Sequence, residues 1–130
     1  KAGAAYFIKA KRRRDIMERS SCERGFLAMS SLLQKIYRTT PESDLGNLLS
    51  DLNPIRFSGT HISSFPAFED YRDLYRKERE NGKTKMQASY HACIDFLFLY
   101  EREFDFHLKN AISRFSLREY EFELEKQLSA

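Results

Sequence analysis

Thr40-Pro41-Glu42-Ser43-Asp44-Leu45-Gly46-Asn47-Leu48-Leu49-Ser50-Asp51-Leu52 is the stretch that decides how this chain folds. The Thr40 hydroxyl is a good helix N-cap, and Pro41 suits a first helical position, where a backbone N–H has no partner to lose. Leu45, Leu48, Leu49 and Leu52 then recur at i, i+3, i+4 and i+7, which puts all four on one helical face. Asn53-Pro54 ends the helix, because proline disfavours helical geometry in the residue before it. The carboxylates Asp44 and Asp51 lie off the leucine face. The period is that of a helix laid on a core, and nowhere in the chain does a strand-like alternation survive.

Working upstream, Ser20-Ser21-Cys22-Glu23 reads as a capping box, with Ser20 accepting from the Glu23 amide and Glu23 reaching back. The helix it predicts carries Cys22, Phe26, Met29, Leu33 and Ile36 on one stripe, flanked by Leu32 and Tyr37. Before it, Ala4–Arg19 can form a helix with apolar residues at one end and charges at the other. Working downstream, residues 53–65 read as a loop rich in Ser and Gly with a lone His61. Pro66 opens a helix presenting Phe68, Tyr71 and Tyr75, which ends at Asn81-Gly82. Thr84-x-x-Gln87 is a second capping box. It predicts one long, central helix with Tyr90, Cys93, Ile94, Leu97, Phe104, Leu108, Ala111 and Phe115 turned inward. Ser116-x-x-Glu119 restarts a terminal helix carrying Leu117, Tyr120, Leu124 and Leu128. The expected fold is all-α: a single domain over residues 20–130, built as a bundle of five or six helices. A basic segment at 1–19 precedes it, either a further helix or an extension foreign to the domain. Phe26-x-Ala28-Met29-x-x-Leu32-Leu33 and Tyr90-x-Ala92-Cys93-x-x-Phe96-Leu97 make a faint pseudo-repeat of paired helices.

Composition narrows the function classes. A chain of 130 residues has room for one core, and eleven Phe with seven Tyr supply large side chains to fill it. With 42% hydrophobic residues and mixed charges, disorder is excluded as the overall state. Cys22 and Cys93 lie in apolar helical patterns without metal-ligand spacing, which predicts buried thiols in a reducing compartment. The longest apolar run, Phe96–Tyr100, is far too short to cross a membrane, and no signal peptide is visible, so the expected location is the cytoplasm. The net charge of +3 hides an asymmetry: residues 1–24 carry +5 and the remainder −2. An argument from charge to nucleic acid therefore applies only to the head, where Lys9-Ala10-Lys11-Arg12-Arg13-Arg14 could meet phosphates or simply be a solvated end. No aromatic platform is interleaved with it.

Few motifs carry chemistry. There is no Gly-rich phosphate loop, G-x-S-x-G or H-E-x-x-H, and His61 and His91 have no partners at metal-ligand spacing, so neither a metal nor a cofactor is expected. Glu101, Glu103 and Asp105 crowd one segment, but alternate residues on a helix diverge and make a poor acid/base pair. Arg102-Glu103-Phe104-Asp105-Phe106-His107 resembles the R-polar-x-x-x-H motif of HEPN ribonucleases, all-helical enzymes. Such a resemblance implies that Arg102 and His107 act on an RNA phosphate and 2′-hydroxyl without a metal, paired across a dimer. The other reading makes them polar groups flanking a helix, paired with Glu103 or Asp105.

Ser43–Leu52, with Phe68-Glu69-Asp70-Tyr71 after a Gly-containing loop, resembles a family of small bacterial immunity proteins from contact-dependent growth inhibition and related polymorphic toxin systems. Ala28-Met29-Ser30-Ser31-Leu32-Leu33 matches the preceding helix of that family, while Phe68 and Tyr71 stand where it has Trp, Pro66 is offset and an acidic residue is missing. The likeness spans residues 20–75. It implies a catalytically inert protein that binds a cognate secreted toxin one to one, a nuclease in many cases, and covers its active site. Asp44, Asp51, Glu69 and Asp70 are then the candidate partner contacts, because a basic nuclease cleft calls for an acidic face. The same carboxylates could equally be solvated helix residues, Asp44 simply favouring a helix N-terminus.

Overall fold

A computed structural model describes the backbone of residues 2–52 and 66–129 and the side chains of residues 21–52 and 66–127. The expected loop at 53–65 with His61, the side chains of Lys9–Arg14, and Leu128 lie outside the described residues. Among the described residues there are six helices and no strand: α1 Ala2–Thr39, α2 Ser43–Leu52, α3 Pro66–Glu80, α4 Lys85–Phe104, α5 Lys109–Arg114 and α6 Leu117–Ser129. The fold is an all-α bundle of six helices.

The C-terminal half of α1 is the hub, packing against each of the other five helices, while α3 and α4 form a tight hairpin. Cys22, Phe26, Met29, Leu32, Leu33 and Ile36 are all buried, as their stripe predicts. Burying a Leu, Phe or Met side chain is worth roughly 1.5–3 kcal/mol, so this stripe alone ties α1 firmly into the bundle. On α2, Leu45, Leu48 and Leu52 are buried and Leu49 packs at the margin. Both pseudo-repeat segments face the interior: Ala28, Met29, Leu32 and Leu33 on α1, Ala92, Cys93, Phe96 and Leu97 on α4. The two cysteines form no disulfide, and burial pushes the Cys93 thiol up.

Four expectations need correction. The capping box at Ser20 starts nothing: α1 runs through it unbroken from Ala2, because the preceding Ala, Lys, Arg, Met and Glu residues favour helix and contain no proline. The Thr40 N-cap is also displaced. Thr40 N–H still donates to Ile36 O at the end of α1, and α2 begins with Gly46 N–H donating to Glu42 O at 3.0 Å, leaving Pro41 between the helices. The long helix expected through Phe115 stops at Phe104, where Asp105 turns left-handed at φ 55° and ψ 38°. Aspartate tolerates that conformation better than most residues. Finally, two residues expected inside are exposed, Phe104 at 57% and Leu117 at 43%.

The remaining caps are as expected. Thr84 and Gln87 make both bonds of their box, and Ser116 Oγ accepts from Glu119 N–H at 3.2 Å to start α6. The α3–α4 turn passes through Gly82 at φ 88°, open to glycine without strain.

Candidate functional site

The end of α4 gathers the sequence-predicted residues. Where the helix stops, the next amides need acceptors, since a broken helix leaves backbone groups unmatched. His107 N–H donates to Asp44 Oδ2 at 2.7 Å, and Leu108 N–H donates to Glu101 Oε2 at 3.0 Å. Asn110 Nδ2 donates to Glu42 Oε1, a second tie, from the residue just before α2. Two carboxylates at or just before the start of α2 and one from the last turn of α4 therefore hold the 105–110 segment in place. Asp44 thus has a folding role that its place on the helix did not disclose.

The turn also aims aromatic rings outward. From the fully buried Phe96 a ladder climbs to the surface: Phe96 to Tyr100 at 4.2 Å between ring centroids, Tyr100 to Phe104 at 4.8 Å, Phe104 to Phe106 at 5.8 Å. Tyr100 Oη donates to Asp70 Oδ2 at 2.8 Å. Burial and then the Asp70 carboxylate push the Tyr100 phenol up, and the Asp51 charge adds a smaller push from further off.

Two of the four candidate contacts bond to this end of α4, Asp44 to the loop and Asp70 to Tyr100, while Asp51 and Glu69 are not seen to bond to it. Asp51 and Glu69 are exposed, while Asp44 and Asp70 are half-buried. Sequence reading missed the rings at the centre, because Phe104 falls at a core position of an unbroken helix. The only signal of its exposure was the Asp-Phe-His run of weak helix formers after it.

Arg102 and His107 are both exposed and sit on different elements, Arg102 in the last turn of α4 and His107 beyond the left-handed Asp105. Arg102 Nε lies 3.9 Å from Glu103 Oε1. Its charge is offset by the acids on either side.

Two other charged clusters serve the fold. Glu78, near the end of α3, pairs with Lys83 and lies in hydrogen-bond contact with Asp95 on α4. Lys83 holds Glu78 below the usual carboxylate range, whereas burial and then Glu78 push Asp95 up to about 6. On the opposite side, buried Glu123 of α6 pairs with Lys35 of α1 and with Lys126, and both ammonium groups lie over the exposed Phe122 ring at 5.2 and 4.6 Å. Among the described residues no cluster of His, Cys, Asp and Glu could hold a metal, and no helix is long and apolar enough to cross a membrane.

No protein-family model, no curated protein and no solved structure matches this chain.

Proposed function

We propose that this chain is a catalytically inert immunity protein of a bacterial toxin system. It neutralises a cognate secreted toxin domain, of nuclease type, by forming a one-to-one complex in the cytoplasm that covers the toxin's active site. The observation that carries this reading is the surface at the end of α4: an exposed aromatic ring packed on Tyr100, with Glu103 and Asp105 beside it in the chain and Asp70 bonded to the Tyr100 hydroxyl. Aromatic anchors at the centre of a patch and charges at its rim are the anatomy of a tight protein interface. A negative rim also speeds encounter with a basic partner and rejects nucleic acid. Ser43–Leu52, the core of the resemblance to immunity proteins, coincides with α2 from end to end.

The test is protection. The chain is used to recover its partner from the source strain, and the partner is then expressed alone and together with the chain. A single stoichiometric partner that kills cells alone and is harmless in the complex is the expected result. Reversing Asp51 and Glu69 to Arg should abolish protection while leaving the helical fold intact. A partnerless dimer that degrades RNA, and stops doing so as His107→Ala, overturns the proposal in favour of the ribonuclease.

A further inference from the structure

Of the exposed phenylalanines Phe98, Phe104 and Phe122, the last two lie between carboxylates in the chain, and they differ in one respect. Phe122 is covered: the Lys35 and Lys126 ammonium groups sit 5.2 and 4.6 Å from its centroid, held there by Glu123. Phe104 is as exposed, at 57% against 55%, has Glu103 and Asp105 as chain neighbours, and has against its ring that of Tyr100, whose hydroxyl donates to Asp70.

A ring face is attractive to a cation through its quadrupole, and nearby carboxylates add Coulombic attraction in the same direction. The Phe122 site is an example, within this fold, of what such a combination collects. At the end of α4 the rings are also paired, Phe104 and Phe106 lying 27° from parallel, a surface on which a flat cation can stack next to the flanking Glu103 and Asp105. A guanidinium has that shape and bonds carboxylates in a fork, which a rotating ammonium does not.

Resting on the immunity reading, we propose that Phe104 and Phe106, with Glu103 and Asp105 flanking Phe104 in the chain and Asp70 bonded to the adjoining Tyr100, form the seat for an arginine side chain presented by the partner protein. The toxin's own arginine, of the sort that binds substrate phosphate in a basic cleft, is its occupant. Asp70 is held for this by Tyr100, and the loop carrying Phe106 is held by Asp44 and Glu101.

The experiment is an NMR titration of the intact chain with the peptide acetyl-Gly-Arg-Gly-Arg-Gly-amide. The matched peptide with citrulline for arginine keeps the planar shape but exchanges one NH2 for a carbonyl oxygen, so it lacks the charge and the full fork of donors. The arginine peptide should shift the resonances of Asp70 and residues 100–107, and bind roughly tenfold tighter than the citrulline peptide at low salt. Phe104→Ala should weaken the arginine peptide roughly tenfold, the loss expected of a ring at the centre of a contact, and Phe104→Tyr should restore it. Equal binding of the two peptides, shifts confined to other faces, or indifference to Phe104→Ala overturns the seat. So do concentration-dependent shifts of residues 100–107 in the protein alone, which would make a second copy of this chain the occupant. If the seat fails but charge reversal at Asp51 and Glu69 still abolishes protection, the immunity reading stands and only the arginine is wrong. If the seat binds arginine and no toxin partner is recovered, the reading fails and the seat survives.

Discussion

Two aromatic clusters in this protein are built from the same residue types and have opposite fates. Around Gly25, the phenols of Tyr71 and Tyr120 are both completely buried, and Ser89 lies between them. Tyr71 Oη donates to Ser89 O at 3.2 Å, Tyr120 Oη donates to Gly25 O at 3.2 Å, and Ser89 and Tyr120 share a further hydrogen bond. At the end of α4, the ladder from Phe96 to Phe106 leaves the core, and its Tyr100 hydroxyl goes to a surface carboxylate. The first cluster closes its polar groups on each other and leaves no room. The second spends its hydroxyl on the rim and leaves a ring in water. Interior phenols specify the fold; the exposed ring is available to a partner.

Gly25→Ala breaks the first cluster most severely. A Cβ there would lie 2.4 Å from Tyr71 Oη, 2.8 Å from Ser89 Oγ and 3.0 Å from Tyr120 Oη. Alanine inside a helix ordinarily gains about 1 kcal/mol over glycine. Here overpacking wins, and denaturant unfolding should show a net loss of about 2–3 kcal/mol. A gain would mean that the phenols are not held against α1.

Next in size is Tyr120→Phe, which removes a buried hydroxyl from both Ser89 and Gly25 O. The expected loss is about 1–2 kcal/mol by the same measurement, because buried partners are left unsatisfied. Asp44→Ala tests whether the outward cluster depends on its own brace. With the acceptor of His107 N–H gone, a loss of about 1 kcal/mol is expected, together with faster amide exchange confined to residues 105–110.

Phe104→Ala sharpens the contrast: with its ring 57% exposed, it should change stability by less than about 1 kcal/mol, however much it affects binding. The smallest effect lies away from both clusters, at Asp95. Its pKa is raised to about 6 by burial and Glu78, so its contribution to stability is complete below its ordinary value and is lost as pH rises through about 6. The Glu78 contribution has the opposite sign, present above the ordinary glutamate range and lost as pH falls. Asp95→Asn should therefore gain on the parent between pH 4 and pH 7, by no more than about 1 kcal/mol because the group is partly solvated. Urea melts across that range give the difference directly.

The helices were legible wherever hydrophobic period and capping chemistry agreed. The leucine face of α2, the stripe of α1, the Phe68-Tyr71-Tyr75 face of α3 and the Thr84 box are all local properties, decided by spacing within a few turns. The Ser20 box and the 105–108 break show the limit of that logic. A capping pattern permits a helix to begin but cannot stop one already running. A helical period continues on paper through residues whose backbone turns away because Asp44, on another helix, offers a better acceptor.

The candidate surface was half legible for the same reason. Its carboxylates could be picked out as off-face residues of amphipathic helices. That Asp70 accepts from the Tyr100 phenol, that Asp44 holds a loop more than sixty residues away in the chain, and that Phe104 points outward all depend on how the helices meet. Gly46 gives the point in miniature: a Cβ on it would lie 3.1 Å from the Tyr37 ring of α1, a constraint no neighbouring residue announces. The sequence by itself determined that this chain is helical and which faces are apolar, because those follow from short-range periodicity and the hydrophobic effect. Only the tertiary structure decided where α4 stops and which rings reach solvent, because unmatched amides and crowded phenols choose their partners from distant parts of the chain.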